Sequence, residues 1–208
     1  MRQLNFENDP DQAQFLELLP RARNGENTIA DWTLLCARQP TPFNLPAFEY
    51  ASRLFMVNDK VNEYNIIKLN KIDEPKLKLI AFNSDVKCRQ ASVDNFRGLE
   101  NIIYCCINSH VILTSNIWTN KCLVNSAHGI IRDIIFFKSK EKEELPEIIL
   151  IEVFNYSGPQ FFSNDGRKNW LPFEKIKIFS KYHNGFRKQF TFRLSYAQTI
   201  HKSQGIQN

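Results

Sequence analysis

The chain has 208 residues, a formal net charge of +5, 43% hydrophobic residues and 24% charged residues. This length and composition suffice for one large or two small globular domains with a hydrophobic core. No apolar run reaches membrane-spanning length and the polar start does not resemble a signal peptide, so we expect an intracellular protein with no membrane partner. The five cysteines are odd in number and lack C-x-x-C spacing, which favours buried, reduced thiols over disulfides or a metal site.

Two helices are predicted near the amino end. The first runs from Pro10 to Arg23, and Pro20 inside its apolar stripe is expected to kink or shorten it. The second begins near Thr28, with Asp31 as a capping-box partner. Three of its side chains are expected to be buried: Trp32, Leu35 and Cys36.

A strand and a helix follow in the order of one βα unit of a parallel sheet. Tyr50 to Val57 is predicted as the buried strand, and Asn58 as the cap of a helix from Asp59 to Leu69. We interpret Asn65 as a structural residue that caps or bonds a turn; a ligand-binding role is the alternative. The polar stretch from Asn70 to Arg97 is interpreted as a linker with an irregular excursion.

After Gly98 the sequence changes to short β-type segments separated by Asn, Ser and Gly turn signals. Several short strands joined by tight turns are typical of a small barrel. The predicted strands are Ile102–Ile107, Val111–Thr114, Ile130–Phe137, Glu147–Phe154 and Phe173–Phe179.

The carboxyl end carries a strand that leads into a polar loop. Apolar and polar residues alternate from Gln189 to Tyr196, which predicts a strand with one buried face. In open α/β sheets, ligands bind where strands end in such loops. Lys202 offers a point charge for phosphate, and Thr199 and Ser203 offer neutral donors. His201 adds a donor or a stacking ring. An exposed polar turn without a ligand is the alternative.

The segment from Arg167 to Lys202 is strongly basic, with nine Lys and Arg residues against the single acid Glu174. Aromatic residues interleave with these charges, among them Trp170, Phe173, Phe179, Tyr182 and Phe186. Neutralised phosphates and stacked bases are the usual chemistry of single-strand binding. The equal alternative is that these cations only solvate the outer faces of strands whose aromatics fill the core.

The decapeptide Tyr-Ala-Gln-Thr-Ile-His-Lys-Ser-Gln-Gly at 196–205 resembles the YAxTIHKSQG motif of superfamily 1B DNA helicases. These comprise the petite-integration-frequency (Pif-type) family and its Helitron-transposon relatives. The segment 54–65 is similar to the family's LxxTNxxVdxxN, with Val57 where Thr is commoner. Segments 110–119 and 123–129 are similar to its xVMLTxNLWT and LVNGxxG motifs.

Two residues depart from the last of these motifs. Ser126 stands where the family has glycine, and it costs about 1 kcal/mol if that position needs a positive φ. His128 replaces a small or apolar residue, and we interpret it as a surface histidine rather than a catalytic base.

The resemblance implies an α/β fold. It predicts part of a second RecA-like motor domain, a parallel sheet with helices, carrying a Src-homology-3-like β-barrel insert. The implied division is 1–97 for the first part of that domain, 98–188 for the insert, and 189–208 for the returning strand and DNA-binding loop. The implied activity is that of an ATP-dependent 5′-to-3′ DNA helicase, with ATP and Mg²⁺ as cofactors of the intact enzyme and roles in DNA repair and recombination.

The resemblance also assigns residues. Thr199, His201, Lys202 and Ser203 would hold the backbone of single-stranded DNA. Three others would face the nucleotide: Arg2, Gln204 and Gly205. Arg2 matches the family arginine that reaches the γ-phosphate.

Three elements that a helicase motor needs are absent from the sequence. It contains no G-x-x-x-x-G-K-[ST] loop and no acidic pair at the end of an apolar strand, and it ends ahead of the family's arginine-finger motif. We therefore expect a fragment with no catalytic residue that binds no cofactor by itself, and whose status as an enzyme is uncertain. Its expected partners are single-stranded DNA and a first RecA-like domain encoded elsewhere, and its expected location is the nucleus. Alternatives are a non-enzymatic nucleic-acid-binding module, a decayed transposon remnant, or a protein-interaction barrel.

Overall fold

The computed structural model describes residues 10–37, 39, 51–136, 146–163, 165–182 and 184–203. The chain divides into two compact units, Met1–Ala51 and Ser52–Asn208. None of the described helices is both long and apolar enough to cross a membrane. The predicted boundaries after residues 97 and 188 stay a prediction.

The described part of the first unit consists of two helices, α1 (Pro10–Asn24) and α2 (Ile29–Ala37). Pro20 does not shorten α1, which continues to Asn24. The capping box of α2 is confirmed. The Thr28 N–H donates to the Asp31 carboxylate at 2.9 Å, and the Asp31 N–H donates to Thr28 Oγ1 at 3.2 Å.

The ion pair between Arg21 and Asp31 determines which face of α2 is buried. The Arg21 guanidinium donates to both carboxylate oxygens of Asp31, at 2.6 and 2.9 Å, and Asp31 is buried. These bonds, with the Thr28 N–H, hold the pKa of Asp31 well below its ordinary value. The prediction that Trp32 is buried is wrong, because Trp32 is 67% exposed. Adjacent helical residues lie about 100° apart, so burying Asp31 directs Trp32 outward.

The second unit contains all the described strands. In chain order its elements are β1 (Arg53–Phe55), α3 (Asn58–Asn70), β2 (Leu77–Ile80), β3 (Phe82–Asn83), α4 (Val86–Gln90), β4 (Ile102–Cys105), β5 (His110–Leu113), β6 (His128–Ile135), β7 (Ile148–Val153), β8 (Trp170–Glu174), β9 (Ile176–Phe179), β10 (Phe186–Gln189), β11 (Phe192–Leu194) and β12 (Ala197–Thr199).

These strands form four small sheets. β1 and β12 pair in parallel, and β2 and β4 pair antiparallel. The other two sheets are antiparallel, with the strand orders β3-β10-β9 and β11-β5-β6-β7-β8. The predicted short strands after Gly98 are therefore present. The five-stranded sheet is open in the described residues, with β11 and β8 at its ends, so a closed barrel stays a prediction.

The interpretation of Asn70 to Arg97 as a linker is wrong. This stretch contributes β2, β3 and α4. Leu79 and Ala81 are buried while Lys78, Ile80 and Phe82 are exposed, which is the alternation of a strand with one covered face. The lysines at alternate positions concealed this pattern in the sequence.

The last predicted strand, Gln189 to Tyr196, is not one continuous strand, since it contains only the last residue of β10 and all of β11. The chain from Phe186 to Thr199 passes through β10, β11 and β12, each in a different sheet. Phe190 and Phe192 lie in the main core as expected, but Gln189 and Thr191 are also buried. The prediction of a single strand with one buried face is wrong, because this segment is covered on both sides.

The turn before β6 confirms the expected backbone strain. Ser126 has φ = 71°, a left-handed conformation that suits glycine better than serine. Gly129 follows for a different reason, since an added Cβ would lie 2.6 Å from the carbonyl oxygen of Glu152. The two glycine positions of the family motif thus serve backbone geometry here, and this chain fills only the second with glycine.

Replacing Ser126 by glycine should raise the free energy of unfolding by about 1 kcal/mol, because it relieves the positive φ. Urea denaturation measures the change. Ser126→Ala serves as the control, because alanine keeps the strain and should not stabilise. Equal midpoints for the glycine and alanine variants would contradict this account of the turn.

Candidate nucleic-acid interface

Two parallel strands end at the same edge of the second unit. Arg53, Leu54 and Phe55 of β1 lie opposite Ala197, Gln198 and Thr199 of β12. Because the strands are parallel, the segments that follow them leave from one edge, where open α/β sheets bind ligands. β1 leads into the start of α3, and β12 leads into a single 3-10 turn, Ile200–Ser203.

Asn65 of α3 fastens β12 in place. Its amide oxygen accepts from the Ala197 N–H at 2.8 Å, and its amide nitrogen donates to the Ala197 carbonyl at 3.3 Å. Asn65 is buried, and α3 packs against both strands. The interpretation of Asn65 as a structural residue is confirmed, and its partner is the strand that leads into the predicted DNA-binding loop.

Tyr196 holds the same strand from the other side. Its hydroxyl accepts from the His110 N–H at 2.9 Å, and its carbonyl accepts from the Arg53 N–H at 3.0 Å. Burial raises the pKa of Tyr196, so the phenol stays protonated at neutral pH. The loop after β12 therefore starts from a strand that is anchored to α3, to β1 and to β5.

The amino end of α3 faces this edge without a side-chain cap. The N-cap residue is Val57, in an extended conformation, and no side chain bonds the first N–H groups. The prediction that Asn58 caps the helix is wrong, since Asn58 is its first residue. The valine explains the missing cap, because it stands where the family has threonine and it has no oxygen to accept a bond. Uncapped N–H groups and the helix dipole favour an anion here, while Asp59 in the first turn opposes one.

The structure brings part of the predicted site together. Thr199 ends β12 and is only 8% exposed, so it is less open to a ligand than expected. His201 is exposed in the turn that follows. The backbones of Lys202 and Ser203 lie in the same turn, whereas their side chains fall outside the described residues. Arg2, Gln204 and Gly205 lie wholly outside them.

Gln198 is a residue of this edge that the sequence analysis did not single out. It lies in the middle of β12 and is buried, yet its amide oxygen has no hydrogen-bond partner in the described part of the chain. A buried acceptor without a partner is rare and calls for a partner outside those residues. The only signal in the sequence was a polar residue inside an apolar strand end.

The basic segment does not form one continuous stripe. Arg187 is fully buried, and its guanidinium donates to four neutral oxygens of the described residues. Those acceptors are Asn83 Oδ1 at 2.9 Å and the carbonyls of Leu99, Cys88 and Ala91 at 2.8, 2.7 and 3.1 Å. The Lys175 ammonium lies 3.4 Å from the Glu147 carboxylate, and Arg167 lies over the Trp170 ring. Several cations of this segment thus have structural roles.

The interpretation of His128 as a surface histidine is wrong. It is half-buried at the start of β6, and its Nε2 is buried with no hydrogen-bond partner among the described residues. Burial lowers the pKa of His128, and the nearby His110 lowers it further. The imidazole is therefore neutral at pH 7, and its place in the fold indicates a packing role.

The thiols largely follow the sequence prediction. Cys88, Cys105 and Cys106 are buried, and burial raises the pKa of Cys105 to about 12. Cys122 is exposed instead. Over the described ranges, no three His, Cys, Asp or Glu side chains cluster as metal ligands do.

The described residues do not form a site that fits ATP. The three residues assigned to the nucleotide by resemblance lie outside them. No glycine of the sequence is followed by lysine, so the chain offers no phosphate-cradling loop of the P-loop type.

Comparisons with known proteins bear on the fold and on the family resemblance. No protein-family model matches the chain. A curated relative, the ATP-dependent DNA helicase Pif1 of Campylobacter jejuni, is 28% identical over 196 residues, which cover 87% of this chain and 36% of the relative. The chain thus spans about a third of the length of that helicase.

Solved structures give the same result at the level of the fold. The Pif1 helicase of Candida albicans matches with a TM-score of 0.68 at 17% identity, over 93% of this chain and 45% of that one. Bacteroides Pif1 bound to single-stranded DNA matches with a TM-score of 0.62 at 18% identity, over 99% and 43%. The resemblance to the Pif-type helicases is confirmed: the chain is similar in sequence to one segment of a Pif1 helicase and shares the mixed α/β fold of the matched region of the solved ones.

Proposed function

We propose that this chain is the strand-gripping segment of an ATP-dependent 5′-to-3′ DNA helicase of the Pif type. In this proposal it forms most of a second RecA-like motor domain with a Src-homology-3-like insert. One observation supports it most. The parallel strands β1 and β12 end at the same edge, where they lead into the uncapped start of α3 and into the turn Ile200–Ser203, which we call the HKS turn. The similarity to Pif1 helicases, one of them solved with single-stranded DNA, agrees with it.

The loop after β12 acts on the sugar-phosphate backbone rather than on the bases. Lys202 supplies a positive charge, Ser203 and Thr199 supply hydroxyl donors, and His201 supplies a donor or a ring. Contacts of this kind position a strand without reading its sequence. The hydrogen bonds of Asn65 and Tyr196 hold the start of β12, the strand that leads into this loop.

Nucleotide binding belongs to the intact enzyme in this proposal. Arg2, Gln204 and Gly205 would face ATP there, and ATP with Mg²⁺ would supply the phosphoryl transfer that drives movement. The partners are single-stranded DNA and a first RecA-like domain, and the setting is nuclear DNA repair and recombination. The chain alone would bind a strand without hydrolysing ATP or unwinding DNA.

Replacing Lys202 by alanine should weaken binding of a single-stranded oligonucleotide about tenfold, because a charge-assisted contact to phosphate is lost. The salt slope of binding should fall by about 0.7, the contribution of one phosphate contact on a single strand. Fluorescence anisotropy with a labelled oligothymidine at several salt concentrations measures both quantities. Lys71→Ala is the matched control. Lys71 is exposed and lies at the carboxyl end of α3, roughly 20 Å from the amino end of that helix.

Single-strand binding that requires Lys202 and does not change when nucleotide is added is expected of the chain alone, both as the helicase segment and as a non-enzymatic binding module. Two outcomes would contradict the proposal. Equal binding by the Lys202 and Lys71 variants would contradict the proposed grip. ATPase activity stimulated by DNA above that of the Lys202→Ala variant would overturn the expectation that the chain alone is inactive.

A further inference from the structure

Three phenylalanines form an exposed row on the sheet β3-β10-β9. Phe82 and Phe179 are 58% and 66% exposed, and Phe186 is half-buried between them. Phe186 lies opposite Phe179 in the β10–β9 pair, and Lys188 lies opposite both Phe82 and Lys177. Residues two apart in a strand share a face, as do directly paired residues, so all five side chains lie on one side of the sheet. We call these five residues the aromatic face.

The rings and the ammonium groups of the aromatic face are close together. The Phe82 and Phe186 centroids lie 5.8 Å apart, and those of Phe179 and Phe186 lie 5.9 Å apart. The Lys177 Nζ lies 3.8 Å from the Phe186 centroid and 4.9 Å from that of Phe179, a cation–π arrangement. The face therefore presents flat apolar surface and positive charge within a few ångströms of each other.

On the other side of the sheet, the two inward residues of β10 are buried. Arg187, between Phe186 and Lys188, is enclosed by its acceptors and lies over the Phe96 ring. The Gln189 side chain donates to the Leu79 carbonyl at 3.1 Å. The exposed rings thus lie on the side of the sheet opposite the buried residues of β10.

The composition of the face points to a ligand with flat rings and negative charge. No outward position of β3, β9 or β10 carries an acidic residue. Aromatic residues are enriched at protein–protein interfaces, but lysine is depleted there, which disfavours a protein partner or a second copy. Base stacking on aromatic rings beside lysines is the chemistry of single-strand binding.

We propose that the aromatic face is a stacking surface for the bases of a single-stranded nucleic acid, separate from the loop after β12. Phe82, Phe186 and Phe179 stack bases, and Lys177 and Lys188 contact the flanking phosphates. The alternation continues upstream along β2, where Lys78 is exposed and its Nζ lies 5.9 Å from the Tyr104 ring. The proposal rests on the proposed function for the nature of the strand, but it uses none of the residues of the loop.

The test compares two labelled strands of equal length and charge, an oligothymidine and its abasic counterpart, on the full chain. The unaltered chain should prefer the thymidine strand about tenfold, since only bases can stack. Phe82→Ala/Phe179→Ala should remove that preference and leave abasic binding unchanged. Phe82→Tyr/Phe179→Tyr should keep it, because the rings remain. Phe161→Ala is the matched control, since Phe161 is 65% exposed and belongs to none of these strands.

The outcomes decide between the two sites. If Phe82→Ala/Phe179→Ala binds thymidine like the unaltered chain, or weakens both strands equally, the aromatic face is not a stacking surface. The same conclusion follows if that variant only abolishes self-association in sedimentation, which would make the face a dimer contact. If Lys202→Ala loses binding and the phenylalanine variant binds as before, the loop is a binding site and the aromatic face is not. If the phenylalanine variant loses its preference for thymidine and Lys202→Ala binds as before, the aromatic face is a binding site and the loop is not.

Discussion

Replacing Arg187 by methionine should lower the free energy of unfolding by about 3–5 kcal/mol, the usual cost of breaking a buried charged network. Methionine fills a similar volume but donates no hydrogen bond. The Asn83 oxygen and the three carbonyls that Arg187 now satisfies would lose this donor at positions that are buried or part-buried. Urea denaturation followed by circular dichroism measures the loss.

The neighbouring residue supplies the control for this experiment. Lys188→Met makes a comparable change at an exposed position of the same strand. Its free energy of unfolding should change by no more than about 0.5 kcal/mol. Arg187→Lys should fall between the two, because an ammonium cannot reach four acceptors spread around a planar fork. Equal midpoints for Arg187→Met and Lys188→Met would contradict the structural role of Arg187.

Replacing Asn65 by leucine should lower the free energy of unfolding by about 2 kcal/mol and also weaken single-strand binding. The substitution leaves the Ala197 N–H and carbonyl without their amide partner inside the protein. Because β12 leads directly into the HKS turn, a loosened β12 no longer holds the loop donors in place. The two readouts are a urea midpoint and fluorescence anisotropy with a labelled oligothymidine.

Asn62→Leu is the matched control, since Asn62 lies in the same helix and is exposed. Its stability should change by less than about 0.5 kcal/mol and its DNA affinity should not change. If Asn65→Leu is destabilised but binds the strand as tightly as the control, the link between the β12 anchor and the loop is wrong.

The sequence was most informative where local chemistry decides the structure. The Thr28–Asp31 capping box and the positive φ of Ser126 follow from residue types at fixed spacings. Both features depend on interactions over a few residues or on a shared motif. A structural role was also predicted for Asn65, but its partner Ala197 lies 132 positions away and could not be identified from the sequence.

Prediction failed where distant segments determine burial. Arg187 was counted among the cations of the basic segment, but three of its acceptors are carbonyls that lie 88, 96 and 99 positions away in the chain. Gln189 is buried for the same reason, because its amide bonds the Leu79 carbonyl 110 positions away. A pattern of charges along the chain cannot reveal such an enclosure, so polar residues in this segment were interpreted as exposed.

The aromatic residues of the basic segment could be divided into buried and exposed ones only with the structure. The interleaving of aromatic and basic residues in the sequence left two possibilities open, a binding surface or a solvated strand face. The structure separates the members of that pattern: Phe173 is buried in the core, whereas Phe179 and Tyr182 are exposed. Only the sheet register shows that Phe82, which lies outside the basic segment, joins the same exposed row.

Amide hydrogen exchange of the full chain, with and without a single-stranded oligothymidine, tests the central claim most directly. The account predicts that the strand slows exchange of the amides at 199–203 and at the uncapped start of α3, and that Lys202→Ala removes this protection. Unchanged exchange over both segments while the strand is bound would contradict it, because the DNA would then be held elsewhere on the molecule.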